Sequence, residues 1–436
     1  MTSERMESPH MTVRTPVVVT GYGAVTPFGV GVEPFWKALL DGRSAVRPTE
    51  DETLRQWLPV AAPVRDFNPA EHLPKKLVND TDRFTQLALV AVAEALRHAG
   101  LEPSGAGGDG GDLLPGLDRD RVGISVGTAF GGVQSLEQGA LRLASGATRL
   151  GPRVIPKSIP NAAGAAIAMR YGVRGPVMTY VTACASSANA IGEAWHWLQL
   201  GECDVVIAGG TECLFTPTLV AGLRAAGAVA TTGPDDPAAW SRPFDVNRAG
   251  MVMGEGAAFL VLETRDHAAR RNAPVYAELI GYGASNDAYH ETAPHPEGSG
   301  AALAMRRALR SAGLAPTDID YINAHATATV AGDAAESHAL RQVFGEHLDR
   351  IPVSSIKGAV GHLLGTAGAI ESIACIESLR TGWLPPTLNC DDRDPVAPPD
   401  VIPNQARAQR VKRVLSNSFG FGGQNGVLVW QAPTAE

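Results

Sequence analysis

Val181-Thr182-Ala183-Cys184-Ala185-Ser186-Ser187-Ala188 marks a change of pattern in this chain. The run before it, Val177-Met178-Thr179-Tyr180-Val181, is short and rich in β-formers. The run after it, Ala188 to Leu198, reads as a helix. A cysteine at a strand-to-helix turn has free backbone N–H groups beside it and the positive end of the helix dipole behind it. Both favour the thiolate, which is the nucleophilic form. The alternative is a small, buried, apolar thiol, and position alone does not choose between the two.

Working outward, β and α signals alternate. Val17-Val18-Val19 reads as a strand entering a Gly-rich turn. Phe84 to His98 reads as an amphipathic helix. Gly105-Ala106-Gly107-Gly108-Asp109-Gly110-Gly111, within 101–120, reads as a flexible surface insertion. Val122 to Val126 and Val205 to Ala208 have the apolar runs of buried strands, and Phe259 to Leu262 closes a first half. A charged helix over 264–271 leads to a strand at Val275 to Ile280. Helices are expected at Ala301 to Ala312, Ser337 to Phe344 and Ala367 to Arg380. Such alternation implies an α/β fold with mainly parallel or mixed sheets. No internal repeat is strong enough in sequence to derive a duplication.

Two histidine segments lie in the C-terminal half. In Tyr321-Ile322-Asn323-Ala324-His325-Ala326-Thr327-Ala328-Thr329 the histidine ends a β-prone run. In Ser354-Ser355-Ile356-Lys357-Gly358-Ala359-Val360-Gly361-His362 it opens a small-residue helix over 361–372. A lone histidine is more often structural than catalytic. Lys357 reads either as a surface lysine or, given its apolar neighbours, as a buried one. The chain finishes with Ser418-Phe419-Gly420-Phe421-Gly422-Gly423-Gln424-Asn425, a Gly-rich turn ahead of a strand at Val427 to Trp430. Glycine there permits φ > 0 and close backbone approach.

Taken together and in this order, these motifs resemble the elongating β-ketoacyl-acyl-carrier-protein synthases, the ketosynthases of fatty acid and type II polyketide pathways. The likeness runs from about Pro16 to about Trp430 and includes Val19-Thr20-Gly21-Tyr22-Gly23-Ala24-Val25-Thr26-Pro27 and Ala208-Gly209-Gly210-Thr211-Glu212. It implies the thiolase fold, two similar βαβ halves in five αβαβα layers. The expected division is a disordered tail at 1–14, a nucleophile-bearing half at 15–270 and a histidine- and lysine-bearing half at 271–436.

The resemblance also implies roles. Cys184 accepts an acyl group, which splits one hard step into two. Its own N–H and that of Phe421 would form the oxyanion hole. His325 and His362 would act as neutral N–H donors to a malonyl thioester losing carbon dioxide. Lys357, paired with Glu371, would support them. Phe421 would be a gate on a loop hinged by Gly420, Gly422 and Gly423. Thr292, Thr327 and Thr329 would meet the phosphopantetheine arm, unless they only stabilise turns. Phe130 and Leu223 would line the acyl pocket. A Phe at 130 restricts straight long chains, unless it rotates away or favours a rigid unsaturated one. Lys75 and Lys76, with Arg224, are the candidate docking patch for an acidic acyl carrier protein, or else ordinary solvated cations.

The chain departs from the family pattern at Ala326 and Ala328 (usually Gly), at Ile356 and at Gln424 (both usually Thr). No catalytic group is lost. The departures point to a specialised pathway. The intact set Cys184, His325, Lys357 and His362 argues against a noncatalytic chain-length factor. The lack of any cysteine after Cys390 argues against a thiolase.

Composition sets outer bounds. With 436 residues and 44% hydrophobic content the chain can bury a large core. A net charge of −8 argues against general nucleic-acid binding. The five cysteines lack CxxC spacing, so neither zinc nor a disulfide framework is expected, and a reducing, cytoplasmic setting fits. No run approaches the roughly 20 apolar residues of a membrane helix, and 1–10 lacks a signal-peptide core. No free cofactor is implied, since substrates ride on the carrier's phosphopantetheine. A dimer is expected, either with itself or with a chain-length factor.

Overall fold

The computed structural model describes residues 15–102 and 114–434. The expected N-terminal tail and most of the Gly-rich insertion lie outside the described residues. The first strand, β1 (Val17–Thr26), is buried along its whole length. Gly21 and Gly23 therefore lie within a strand and not in a turn. Each faces helix α1 (Arg83–His98), where any Cβ would strike the backbone around Ala95 and Ala91. The glycines allow strand and helix to touch.

Ten strands carry the architecture. The first five are β1, β2 (Val122–Gly127), β3 (Val177–Tyr180), β4 (Val205–Glu212) and β5 (Gly256–Thr264). The second five are β6 (Ala277–Asn286), β7 (Tyr321–Asn323), β8 (Val353–Ser354), β9 (Arg413–Gly420) and β10 (Gln424–Gln431). In space the order is β8-β7-β9-β10-β6-β1-β5-β4-β2-β3. From β1 outward the pairings run antiparallel, antiparallel, parallel, parallel. From β6 outward they run the same way. The two sets meet where Val17–Val19 pairs with Ala277–Leu279. A duplication invisible in the sequence is thus explicit in the strand order.

Two helices occupy equivalent places. α2 (Ser186–Gln199) follows β3, and α5 (Ala367–Thr381) follows β8. They pack on each other and on strands from both sets, forming the middle layer. α5 is buried on all sides, from Ala367 through Leu379. A helix without a polar face belongs in an interior. α3 (Ser299–Ala312) and α4 (Val330–Phe344) cover the outer side of the second set, as α1 does for the first.

Some expectations need correction. α4 begins at Val330, not Ser337, because the Thr329 hydroxyl caps it by accepting the Gly332 N–H at 3.2 Å. The segment after His362 is not helical from Gly361. It turns through Gly361 at φ 70 and Leu364 at φ 50 before α5 starts. That turn is what frees the histidine from a helix face.

Candidate active site

Cys184 follows β3 by a short turn and lies just ahead of α2. Ala183 takes φ 50, which exposes the thiol at the head of the helix. The Thr182 N–H donates to the Ser186 hydroxyl at 2.9 Å, and that hydroxyl donates to the Ala183 carbonyl at 2.6 Å. Asn189 Nδ2 holds the Thr182 hydroxyl at 2.9 Å. Local position leaves thiol and thiolate both open. Burial, aided by the carboxylates of Glu212 and Glu371 and opposed by Lys357, pushes the thiol up to about 12. Cys184 itself is half-buried, and its desolvated surroundings favour the thiol over the thiolate.

His325 lies two residues beyond β7. Its N–H donates to Glu336 at 2.9 Å, and the Ala326 N–H donates to the same carboxylate at 2.7 Å. His362 is fixed by its N–H to the Val252 carbonyl at 2.7 Å and by its carbonyl accepting from Gly254 at 2.9 Å. The Leu364 N–H donates to His362 Nδ1 at 3.3 Å, so the ring carries its proton on Nε2. Among the described residues that Nε2, which is buried, has no partner, and neither has His325 Nδ1. Burial, reinforced by the Lys357 charge, holds both rings well below the usual histidine range. Both are neutral at physiological pH. The rings stand 5.3 Å apart at 82°, with Phe419 beside His325 at 5.8 Å. A reactive atom of Cys184 and one from each ring all lie within 4.8 Å of one another.

Lys357 is 2% exposed, which removes the surface-lysine alternative. Its ammonium donates to Glu371 and to the His325 carbonyl. Burial lifts Glu371 to about 7, against the pull of the lysine. The pair is inside the protein and orients the histidine backbone from behind.

A cavity of about 240 Å³ opens onto these groups. Cys184, His325, His362 and Phe421 line it, together with Thr292, Thr327 and Thr329. Ala328, usually Gly in the resemblance, sits at φ 68, where an L-residue costs about 1–2 kcal/mol. Asp333 accepts its N–H at 3.1 Å and holds it there. Ala326 needs no such conformation. The Gly420–Gly423 loop crosses the nucleophile turn. A Cβ on Gly420 would come within 2.8 Å of the Thr182 carbonyl and 2.9 Å of the Cys184 nitrogen. Gly422 and Gly423 take φ 76 and 70. The loop is tied to the strand β6 end: Gly422 N–H donates to the Glu291 carbonyl at 2.8 Å, and Asp287 N–H to the Gly423 carbonyl at 2.9 Å.

The other expected residues lie further out. Leu223 packs in the same apolar cluster as Cys184, Met251 and Phe421. Phe130 lies outside the cavity and is 47% exposed. Lys75 and Lys76 are exposed at the start of a short helix, Lys75–Asp80. Arg224 is exposed and donates to the Gln56 carbonyl. The structure adds residues that the motifs gave no role: Glu336 and Asp333 behind the His325 segment, and Glu212 at the end of β4. A glutamate ending a run of buried strand residues, as in Ala208-Gly209-Gly210-Thr211-Glu212, is the one sequence signal that marked the last of these.

Comparison with known proteins places this geometry. Residues 14–268 match the model of the beta-ketoacyl synthase N-terminal domain, and residues 276–391 that of its C-terminal domain. The chain belongs to the beta-ketoacyl synthase family. It is 42% identical over 416 residues to a 3-oxoacyl-[acyl-carrier-protein] synthase 2 of Coxiella burnetii, covering 95% of this chain and 97% of that one. It is 41% identical over 432 residues to a putative mitochondrial 3-oxoacyl-[acyl-carrier-protein] synthase of Schizosaccharomyces pombe, covering 95% and 98%. Among solved structures it is similar to a type II PKS ketosynthase captured with its acyl-carrier protein, with TM-score 0.87 and 32% identity over 97% of this chain and all of that one. It is equally similar in fold to the ishigamide ketosynthase/chain length factor, at TM-score 0.87 and 33% identity, again over 97% and 100%. As a β-ketoacyl synthase the protein has the thiolase fold and is an acyltransferase of the condensing type. Among the described residues no helix is long and apolar enough to cross a membrane.

Proposed function

We propose that this protein elongates an acyl chain by two carbons, joining it to malonyl-acyl-carrier protein with loss of carbon dioxide. The observation that carries this reading is the convergence of one thiol and two neutral imidazoles within 4.8 Å, backed by a buried Lys357–Glu371 pair.

In the first half-reaction the Cys184 sulfur attacks the acyl thioester. The carbon–sulfur bond to the carrier breaks, and the thiol proton leaves by way of a neighbouring imidazole to the carrier's sulfur. The N–H groups of Cys184 and Phe421 would receive the tetrahedral oxygen. In the second half-reaction malonyl thioester enters the cavity. Its bond to the carboxylate breaks, carbon dioxide leaves, and the electron pair moves into an enolate. A neutral N–H from His325 and from His362 meets the thioester oxygen. An imidazolium would be a less suitable partner, since it would hold the malonyl carboxylate and resist its departure. The enolate carbon then attacks acyl-Cys184, a carbon–carbon bond forms, and the cysteine sulfur leaves and takes up a proton.

Substrates arrive on phosphopantetheine, with Thr292, Thr327 and Thr329 along its path and Lys75, Lys76 and Arg224 as outer cations for an acidic carrier. Phe130 and Leu223, both outside the lining of the cavity, would bound the acyl chain only where it extends beyond that cavity. The departures at Ala326, Ala328, Ile356 and Gln424 support a specialised pathway. A second subunit completes the enzyme. The chain is read as pairing with itself. A second reading makes it the catalytic member of a heterodimer, favoured by its likeness to the ishigamide ketosynthase/chain length factor.

The test is intact-mass spectrometry of the purified protein with acyl-carrier proteins bearing short, long and polyenyl chains, followed by malonyl carrier. Adducts that require Cys184 and then yield a chain two carbons longer are expected. No adduct from any chain would exclude a self-paired condensing enzyme.

A further inference from the structure

In both halves of the fold the middle-layer helix is preceded by the same kind of turn. Ala183 precedes Cys184 ahead of α2, and Leu364 precedes Gly365 ahead of α5. Both preceding residues sit at φ 50. The Gly365 N–H is therefore the counterpart of the Cys184 N–H, which serves the oxyanion hole. In the second turn that N–H is occupied: it donates to Glu212 at 3.2 Å.

Glu212 is fully buried. Its carboxylate also accepts the Ala129 N–H, the Phe130 N–H and, at 3.0 Å, the Thr128 hydroxyl. Thr128 in turn receives the Gly131 N–H at 3.1 Å, so the whole 128–131 loop hangs on this carboxylate. A side chain at Gly365 would collide with Glu212, which explains glycine at the counterpart of the nucleophile. Four donors on one buried carboxylate is a fully satisfied anion site built from the protein itself.

We infer that Glu212 is a positioning residue whose carboxylate fills the second anion-binding turn and clamps the loop bearing Phe130 to the segment bearing His362. The clamp fixes His362, three residues before Gly365, relative to Cys184. It also places a carboxyl near the thiol, which is acted on by Lys357, Glu212 and Glu371; burial lifts Glu212 to about 7, so its negative charge is complete only above that pH, where the thiol itself titrates. Only the kinetic arm of the test rests on the condensing-enzyme reading.

The test uses the full chain and Glu212→Gln, whose amide must turn an N–H towards one of the N–H donors. The kcat for malonyl-carrier decarboxylation should fall about tenfold or more while KM stays within about twofold, the pattern of a lost transition-state arrangement. The pH profile for iodoacetamide alkylation of Cys184 should move to lower pH, because one of two opposing carboxylates is gone. Thr128→Val removes a donor and keeps the charge, so it should leave that profile in place. Hydrogen exchange should show slow amides at 129 and 365 in the wild type and faster ones in Glu212→Gln. Wild-type decarboxylation and an unshifted alkylation profile in Glu212→Gln would overturn the assignment. Should that variant not fold, unprotected amides at 129 and 365 in the wild type would overturn it alone. Absence of condensation by the wild type would count against the proposed reaction, while alkylation and exchange would still decide the clamp.

Discussion

Gly420→Ala is the sharpest test of how the gating loop sits on the nucleophile turn. The backbone at Gly420, φ −129, is open to any residue, so strain is not the issue. Space is. The added methyl would lie 2.8 Å from the Thr182 carbonyl, 2.9 Å from the Cys184 nitrogen and 3.2 Å from the Ala183 methyl. Ordinary contact begins near 3.4 Å, so the overlap is about half an ångström against atoms that cannot rotate away. Overpacking of this kind costs about 1–3 kcal/mol. The cheapest relief is for the 420–423 loop to lift off the turn, which moves the Phe421 N–H from the oxyanion position. Losing one such donor costs about a hundredfold to a thousandfold in rate, and a partial displacement correspondingly less. We therefore expect Cys184 acylation to slow by about tenfold to a hundredfold, with a melting temperature lower by a few degrees. Time-resolved intact mass with an acyl-carrier protein measures the first, and differential scanning calorimetry the second. Acylation within about twofold of wild type, with unchanged melting, would refute the close seating of the loop.

Other expectations are equally direct. Lys357→Met leaves Glu371 buried without its cation and should cost about 3–5 kcal/mol in urea unfolding, whereas Lys357→Met with Glu371→Leu should recover most of that and still condense poorly; a single variant as stable as the double would contradict the buried pair. Both histidines are held below the usual range, so they are neutral on either side of pH 6.5 and protonate only well below it. Malonyl decarboxylation by Cys184→Ala should therefore be flat from about pH 8 to about pH 6, and an inflection near the ordinary histidine pKa would show that one ring titrates normally. Phe130→Ala should leave stability within about 0.5 kcal/mol and change which acyl carriers compete best; an unchanged preference would remove Phe130 from chain selection.

Much of the site was legible because its residues carry their chemistry in local sequence. Cys184 stands where β character gives way to helix, and each histidine ends or follows a β-prone run. The strands around Val122, Val205 and Phe259 were legible because buried strands are continuously apolar. The duplication was not, because it resides in strand order and in a repeated φ at Ala183 and Leu364, neither of which leaves a matching string of residues. Gly21 and Gly23 looked like a turn since glycine signals both turns and close packing, and only α1 across the sheet separates the two. The state of the thiol was left open by local sequence for a related reason. The helix end is visible from local sequence, but Glu212 and Glu371 reach Cys184 from distant strands and helices, and neither they nor the burial that favours the thiol can be read there.

α5 has no solvent-facing side between Ala367 and Leu379, whereas α3 buries only one face. Tolerance to substitution should follow. A saturation scan of α3 should show a rhythm of about 3.6 residues, with permissive positions recurring on the outer face. Along α5 the same scan should be flat and intolerant, with Glu371 no more restricted than its apolar neighbours. The helix that presents the lysine's counter-ion is thus the part of the protein with the least freedom to drift, and its sequence should change last as the acyl specificity of the enzyme diverges.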